Sequence, residues 1–213
     1  PIPSRGLGDV YKRQALMASE ILKKNKSRKI VYDIKCSNQL GQVIRENNGT
    51  PIMTKTGHSY IKSEISKSNA ILGGEMSGHI FYNDNWYGFD DGIFAALKLL
   101  EILSSKESTT HEVFNKFTQL FNTPEIKIAV EDEEKFEIVE QLKVKLKPEG
   151  YDSILIDGLR LENKDCWGLV RASNTTPSLI LRFEANTEQK LMEIQELFQK
   201  TLLEINKNLK FLN

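Results

Sequence analysis

Long apolar runs, cysteine clusters and an excess of either charge are all missing from this 213-residue sequence. No stretch approaches the roughly 20 apolar residues that span a bilayer, and the N-terminus has no apolar signal core, so no membrane is expected among its partners. Cys36 and Cys166 are the only cysteines, far apart and without CxxC or Cys/His ligand spacing. That pattern excludes a disulfide framework, gives no structural zinc site, and fits a reducing compartment with the cytoplasm as the default. The 29 basic and 29 acidic side chains cancel and are scattered rather than blocked, which leaves no broad field to attract nucleic acid. Any anion site must therefore be local. Internal repeats and low-complexity segments are absent as well.

The length suits two domains of about 100 residues. Residues 1–14, PIPSRGLGDVYKRQ, place three chain breakers in the first six positions and show no apolar periodicity, so they are expected to form an unstructured leader outside the cores. Within them, DVYKRQ resembles the in-frame translation of a transposon end used as a sequencing adapter, which would put the true start of the protein upstream of Ala15.

From Lys29 onward, short apolar strands alternate with amphipathic helices: KIVYDIK, a helix over 38–47, PIMTK, a helix over 59–67, AILGGEM, HIFYN and an apolar helix over 93–103. The last of these is apolar on most sides and is expected to be buried between layers. The first domain, 15–120, thus reads as an α/β/α layered unit with a mixed sheet covered on both faces. The proline of FNTP, Phe121–Pro124, marks a boundary, because the residue before proline is pushed out of helical geometry. The second domain, 121–213, reads as a smaller α+β unit with a mainly antiparallel sheet: EIKIAV, a charged helix over 133–147, SILIDG, LRLEN, WGLVRA, SLILRFEA and a closing helix. That helix is striped by Leu191, Ile194, Phe198 and Ile205.

Several segments carry groups suited to a ligand. GGEMSGHIF offers two glycines, Glu75, Ser77 and His79 just after a strand, and a carboxylate beside a hydroxyl suits vicinal sugar hydroxyls, which need acceptors as well as donors. A strand-to-strand turn with solvated Glu75 and Ser77 fits the same composition. VRASNTTP places Arg171, Ser173, Asn174, Thr175 and Thr176 between two strands, a set of charge-assisted and neutral donors that fits a phosphate dianion. A polar hairpin with a surface arginine accounts for it too. Arg182 stands in the apolar strand LILRFEA, where a charged side chain is usually paired or points into a site. KTGHSYIK puts Gly57 and His58 at a strand-to-helix junction, which favours anions but is equally an ordinary capped helix start. Lys35 ends a strand at the edge where α/β proteins collect ligand groups, although strand-end lysines are commonly solvated.

Taken in order, VYDIKCS, TKTGHSYIK, GGEMSGHIFYND with WYGFDDGI, and RASNTTPSLILRFEA resemble the third and fourth domains of the α-D-phosphohexomutase family, in its bacterial phosphomannomutase/phosphoglucomutase type. The resemblance runs from about Lys29 to the C-terminus. It implies that Glu75 and Ser77 bind sugar hydroxyls common to glucose and mannose, with His79 beside the reacting end as an acid or base. It implies substrate contacts for Lys35 and His58, and phosphate contacts for Arg171, Ser173, Asn174, Thr175 and, less directly, Arg182. The implied chemistry is reversible phosphate transfer between an active-site phosphoserine and the 1- and 6-positions of a hexose, with Mg2+ neutralising the moving group. No TASHNP-like serine loop or DGDADR-like magnesium loop occurs in the sequence. The chain is therefore expected to bind hexose phosphate, to bind no metal itself, and to depend for catalysis on N-terminal domains that carry both loops. A glucosamine-phosphate mutase fragment and a non-catalytic sugar-phosphate-binding module are the alternative expectations.

Overall fold

A computed structural model describes residues 10–211, which divide into two compact units between Gln119 and Leu120. The first contains α1 (Val10–Lys24), β1 (Lys29–Asp33), α2 (Asn38–Glu46), β2 (Thr50–Thr54), α3 (His58–Ser68), β3 (Leu72–Gly74), β4 (Ile80–Tyr82), α4 (Gly92–Ser104) and α5 (Thr110–Asn115). Its sheet has the order β2-β1-β3-β4; β1 runs parallel to β2 and β3, and β4 closes the edge antiparallel to β3. Strand residues alternate between two cores, as the period of a pleated strand requires. Val31 and Phe81 pack with Ile61 and Ile65 of α3 on one face, whereas Ile30, Tyr32, Leu72, Ile80 and Tyr82 pack with α1, α2, α4 and α5 on the other. The sheet is thus covered on both faces, and its strand ends and following turns bring residues 33–36, 55–58 and 75–79 into one polar neighbourhood.

Two expectations need correction here. The leader was expected to run to residue 14, but Val10–Gln14 form the first turns of α1, with Tyr11 and Gln14 buried. The polar groups that hid the helix are satisfied on folding: the Tyr11 hydroxyl donates to the Thr118 carbonyl at 3.3 Å, and the Gln14 amide donates to the Glu75 carbonyl. Residues 1–9 lie outside the described residues. The apolar helix α4 is not sandwiched either. Ala95 and Leu99 are buried, but Ile93, Leu97 and Leu100 are 78%, 59% and 58% exposed, because among the described residues of this unit nothing packs on that side of the helix.

The second unit comprises β5 (Phe121–Asn122), β6 (Ile126–Ala129), α6 (Lys135–Lys145), β7 (Asp152–Ile154), β8 (Leu159–Glu162), β9 (Cys166–Ala172), β10 (Ser178–Ala185) and α7 (Glu188–Ile205). All its pairings are antiparallel, in the order β5-β10-β9-β8-β7, with β6 also paired to β10. Both helices cover one face, where Ile138, Val139 and Leu142 of α6 and Ile194, Phe198 and Leu202 of α7 meet Leu161, Val170, Leu179, Leu181 and Phe183. The buried stripe of α7 is therefore Ile194–Phe198–Leu202, with Leu191 and Ile205 flanking it as partly buried residues. At positions of opposite parity, β8–β10 carry Arg160, Trp167, Arg171, Arg182 and Glu184, all buried.

Candidate functional site

In the first unit, residues 75–79 turn β3 into β4. The Glu75 N–H donates to the His79 carbonyl and the Gly78 N–H to the Glu75 carbonyl, both at 2.9 Å. The segment is the strand-to-strand turn that its composition allowed, but Glu75 is not solvated. It is 5% exposed, and each of its carboxylate oxygens is held: Oε1 accepts from the Gly57 N–H at 3.0 Å and Oε2 from the Ser77 hydroxyl at 3.1 Å. A carboxylate out of water is costly unless hydrogen bonds satisfy it, and these two fix where its remaining lone pairs point. Gly57 can offer its N–H there because it caps α3 at φ +132°, a backbone geometry that side chains disfavour.

Asp33 sits beneath this turn, fully buried, and ties three segments together. It accepts from the Met76 N–H and the Thr56 hydroxyl at 3.2 Å each, and from the Cys36 thiol at 3.1 Å. Burial raises its carboxyl above the ordinary value of 3.8, opposed by the charge of Lys35. Lys35 itself is 8% exposed and so is not a solvated strand-end lysine.

On the open side of the turn stand two imidazoles. The His58 and His79 rings are 4.3 Å apart edge-on, and His58 also meets Phe81 edge-on at 5.4 Å. Asp90 serves both: its Oδ2 lies 2.7 Å from His79 Nδ1 and 3.8 Å from His58 Nε2. The backbone bridge between Phe81 and Asp90 sets it there. Lys35, His58, Glu75, Ser77 and His79, singled out in the sequence, all fall in this region. Asp33, Thr56 and Asp90 were not singled out, although Asp33 and Asp90 lie within the segments VYDIK and WYGFDDGI.

In the second unit, residues 173–177 join β9 to β10. Ser173 is buried and organises the loop: its Oγ accepts from the Thr175 N–H, the Thr176 N–H and the Thr176 hydroxyl at 3.3, 3.1 and 2.8 Å. Asn174, Thr175 and Thr176 are exposed. Arg171 is 6% exposed, not a surface arginine, and its Nε donates to Asp157 Oδ2 at 2.8 Å. Asp157 is delivered by the β7–β8 turn, whose Gly158 has φ +92° and approaches β9 so closely that a Cβ there would lie 2.2 Å from the Val170 carbonyl oxygen. A second buried cation supports the loop from α6. Lys135 is 4% exposed, and its Nζ donates to Asp132 Oδ1 at 2.5 Å and to the Thr176 carbonyl at 3.3 Å. Both Asp157 and Lys135 escaped the sequence reading; the Asp-Gly pair in SILIDG was the available signal for the first. Arg182 pairs with Leu169, two residues along the ladder from the Arg171–Ile180 pair, and so shares the face of Arg171. Its guanidinium lies 5.9 Å from the Trp167 ring, over which Arg160 stacks at 3.8 Å, while the indole N–H donates to Glu184 at 2.7 Å.

The family model described as phosphoglucomutase/phosphomannomutase, alpha/beta/alpha domain III, matches residues 11–121, and that of the C-terminal domain matches residues 125–200. The chain is 47% identical over 198 residues to a phosphomannomutase/phosphoglucomutase of Pseudomonas syringae pv. tomato, covering 92% of this chain and 43% of that protein. It is 46% identical over 196 residues to a phosphoglucomutase of Neisseria meningitidis serogroup A, covering 91% and 42%. A crystal structure of a phosphoglucomutase/phosphomannomutase family protein from Burkholderia thailandensis superposes with a TM-score of 0.87 at 38% identity, covering 94% of this chain and 43% of that one. The chain thus spans less than half the length of the relatives it matches. No helix among the described residues is long and apolar enough to cross a membrane.

Proposed function

The chain belongs to the phosphoglucomutase/phosphomannomutase family, and we propose that it forms the substrate-holding part of a mutase that interconverts hexose 1-phosphates and 6-phosphates of glucose and mannose. The observation that carries the sugar-binding half is Glu75. A nearly buried carboxylate, fixed by one donor on each oxygen, keeps lone pairs in a set direction, which is what two adjacent hydroxyl groups need from an acceptor. Ser77 adds a hydroxyl, and Lys35 and His58 border the same turn. His79, with Asp90 on its Nδ1, has its other ring nitrogen left to exchange a proton with a sugar oxygen at the reacting end.

The phosphate half rests on Arg171 and the loop after it. The bond to Asp157 uses one of the five guanidinium N–H groups and fixes the plane of the rest, which suits two-point contact with a phosphate. Ser173, Asn174 and Thr175 supply neutral donors, Lys135 adds positive charge under the loop, and Arg182 adds it along the same sheet face.

Magnesium would neutralise the moving phosphate in such a reaction, but the residues present do not suit it. The one candidate cluster of ligating side chains among the described residues is His58, Glu75 and His79, and Mg2+ demands oxygen ligands in octahedral array. Metal and phosphoserine nucleophile accordingly belong to the remaining length of the relatives, and the cytoplasm is the expected setting.

Calorimetric binding of glucose 1-phosphate and mannose 1-phosphate to the chain tests this reading. Glu75→Gln should weaken both sugars alike, because the two differ only at a hydroxyl that this turn is not proposed to read. Unchanged binding, or strong discrimination between the two sugars, would refute the assignment.

A further inference from the structure

Two imidazoles and a carboxylate converge at the β3–β4 turn, and sugar binding alone does not require that combination. His58, Glu75 and His79 each present a ligand atom, and these three atoms lie within 4.8 Å of one another. Zinc-class ions bind imidazole nitrogen and carboxylate oxygen at about 2.0–2.2 Å, which sets ligand atoms about 3.3–3.5 Å apart around a tetrahedron. The cluster therefore needs to contract by at most about 1.5 Å. His58 and His79 have room to supply that by rotating their side chains, which are 48% and 44% exposed, while Glu75 is fixed.

The surroundings match a metal site as well. Asp90 Oδ2 sits 2.7 Å from His79 Nδ1, the carboxylate–histidine pairing that fixes the tautomer and leaves the opposite nitrogen with a lone pair for a metal. Glu75 is held by donors from Gly57 and Ser77 and retains unused lone pairs. Three protein ligands leave a fourth position for water or another oxygen.

We propose that His58, Glu75 and His79 form a binding site for a divalent transition metal of the zinc class, and that the metal takes the Glu75 carboxylate away from sugar hydroxyls. The second clause rests on the sugar-binding reading of Glu75; the first does not. The mixed nitrogen and oxygen ligand set selects Zn2+, Co2+ or Ni2+ over Mg2+, so the site would act as an inhibitory one. A mutase containing it would lose activity to trace zinc even at saturating magnesium.

Cobalt titration of the chain is the test, because Co2+ in a four-coordinate site absorbs visible light far more strongly than in water. The expected result is a saturable visible band that Zn2+ abolishes and about a hundredfold excess of Mg2+ does not. His58→Ala and His79→Ala should each remove the band, and His111→Ala should leave it unchanged. Asp90→Asn should weaken cobalt binding by about 10-fold or more, as loss of the carboxylate behind a ligating histidine does. Circular dichroism confirms folding of each variant. Absence of a saturable band, or a band that persists in both His58→Ala and His79→Ala, overturns the proposal. Glucose 1-phosphate should displace cobalt. A band that depends on both histidines but resists the phosphosugar would uphold the metal site and overturn the sugar contact at Glu75.

Discussion

Replacing Arg171 by alanine removes a guanidinium beside the loop at 173–177 that a carboxylate locks in place through the Nε–Asp157 bond of 2.8 Å. A hydrogen bond to a charged group contributes about 1.5–3 kcal/mol, and each 1.4 kcal/mol is a factor of ten in affinity, so hexose phosphate should bind about 10- to 150-fold more weakly. Arg171→Lys keeps the charge but loses the planar fork and should fall between the two. Asp157→Asn keeps an acceptor for Nε while loosening the charge pairing, so its loss should be smaller still. The measurement is calorimetric titration of each variant with glucose 6-phosphate, with glucose and inorganic phosphate as controls and thermal denaturation as the check on folding. The variants should lose affinity for glucose 6-phosphate and inorganic phosphate in the same order. A folded Arg171→Ala that binds glucose 6-phosphate within about twofold of the parent chain would refute the phosphate assignment, because a twofold loss is well below the roughly 10-fold minimum expected of a charge-assisted contact from a buried guanidinium.

Three further outcomes are expected. Purified chain with Mg2+ and glucose 1-phosphate should show no mutase turnover in a coupled assay, since it carries neither a serine loop nor an aspartate-rich loop; magnesium-dependent turnover would show that the chemistry resides here after all. Gly158→Ala should destabilise the second unit by about 3 kcal/mol or more in urea unfolding, from the left-handed φ of +92° together with a Cβ 2.2 Å from the Val170 carbonyl oxygen. A change below about 0.5 kcal/mol, the range of ordinary surface substitutions, would contradict that geometry. Finally, burial raises the native carboxyl of Asp33 above 3.8. The native state therefore holds that proton more tightly than the unfolded chain. This contribution to stability is full below about pH 4 and is lost as pH rises through the native value. Asp33→Asn should flatten that part of the profile of denaturation midpoint against pH, and an unchanged slope would contradict it.

What the sequence disclosed and what it hid follow from one physical difference. Apolar alternation and turn residues report which side chains leave water, so β1, α3 and the β9–β10 pair were visible in KIVYDIK, SYIKSEIS and WGLVRASNTTPSLILRFEA. They do not report what covers an apolar surface, and the outward stripe Ile93–Leu97–Leu100 of α4 was read as buried for that reason. They also say nothing of polar groups that are buried because a distant partner satisfies them. Gln14 ended the expected leader and Lys135 lay in the charged helix expected over 133–147, yet both are under 5% exposed, held by the Glu75 and Thr176 carbonyls. The same difference explains why composition could not decide between the two readings of GGEMSGHIF. The segment is an ordinary turn in its backbone, and its promise as a site comes from a donor 18 residues away in sequence, the Gly57 N–H. Without that donor, burying Glu75 would cost more than a turn can offset. With it, the carboxylate stays fixed beside two half-exposed histidines, where a sugar hydroxyl and a zinc-class metal would compete for the same lone pairs.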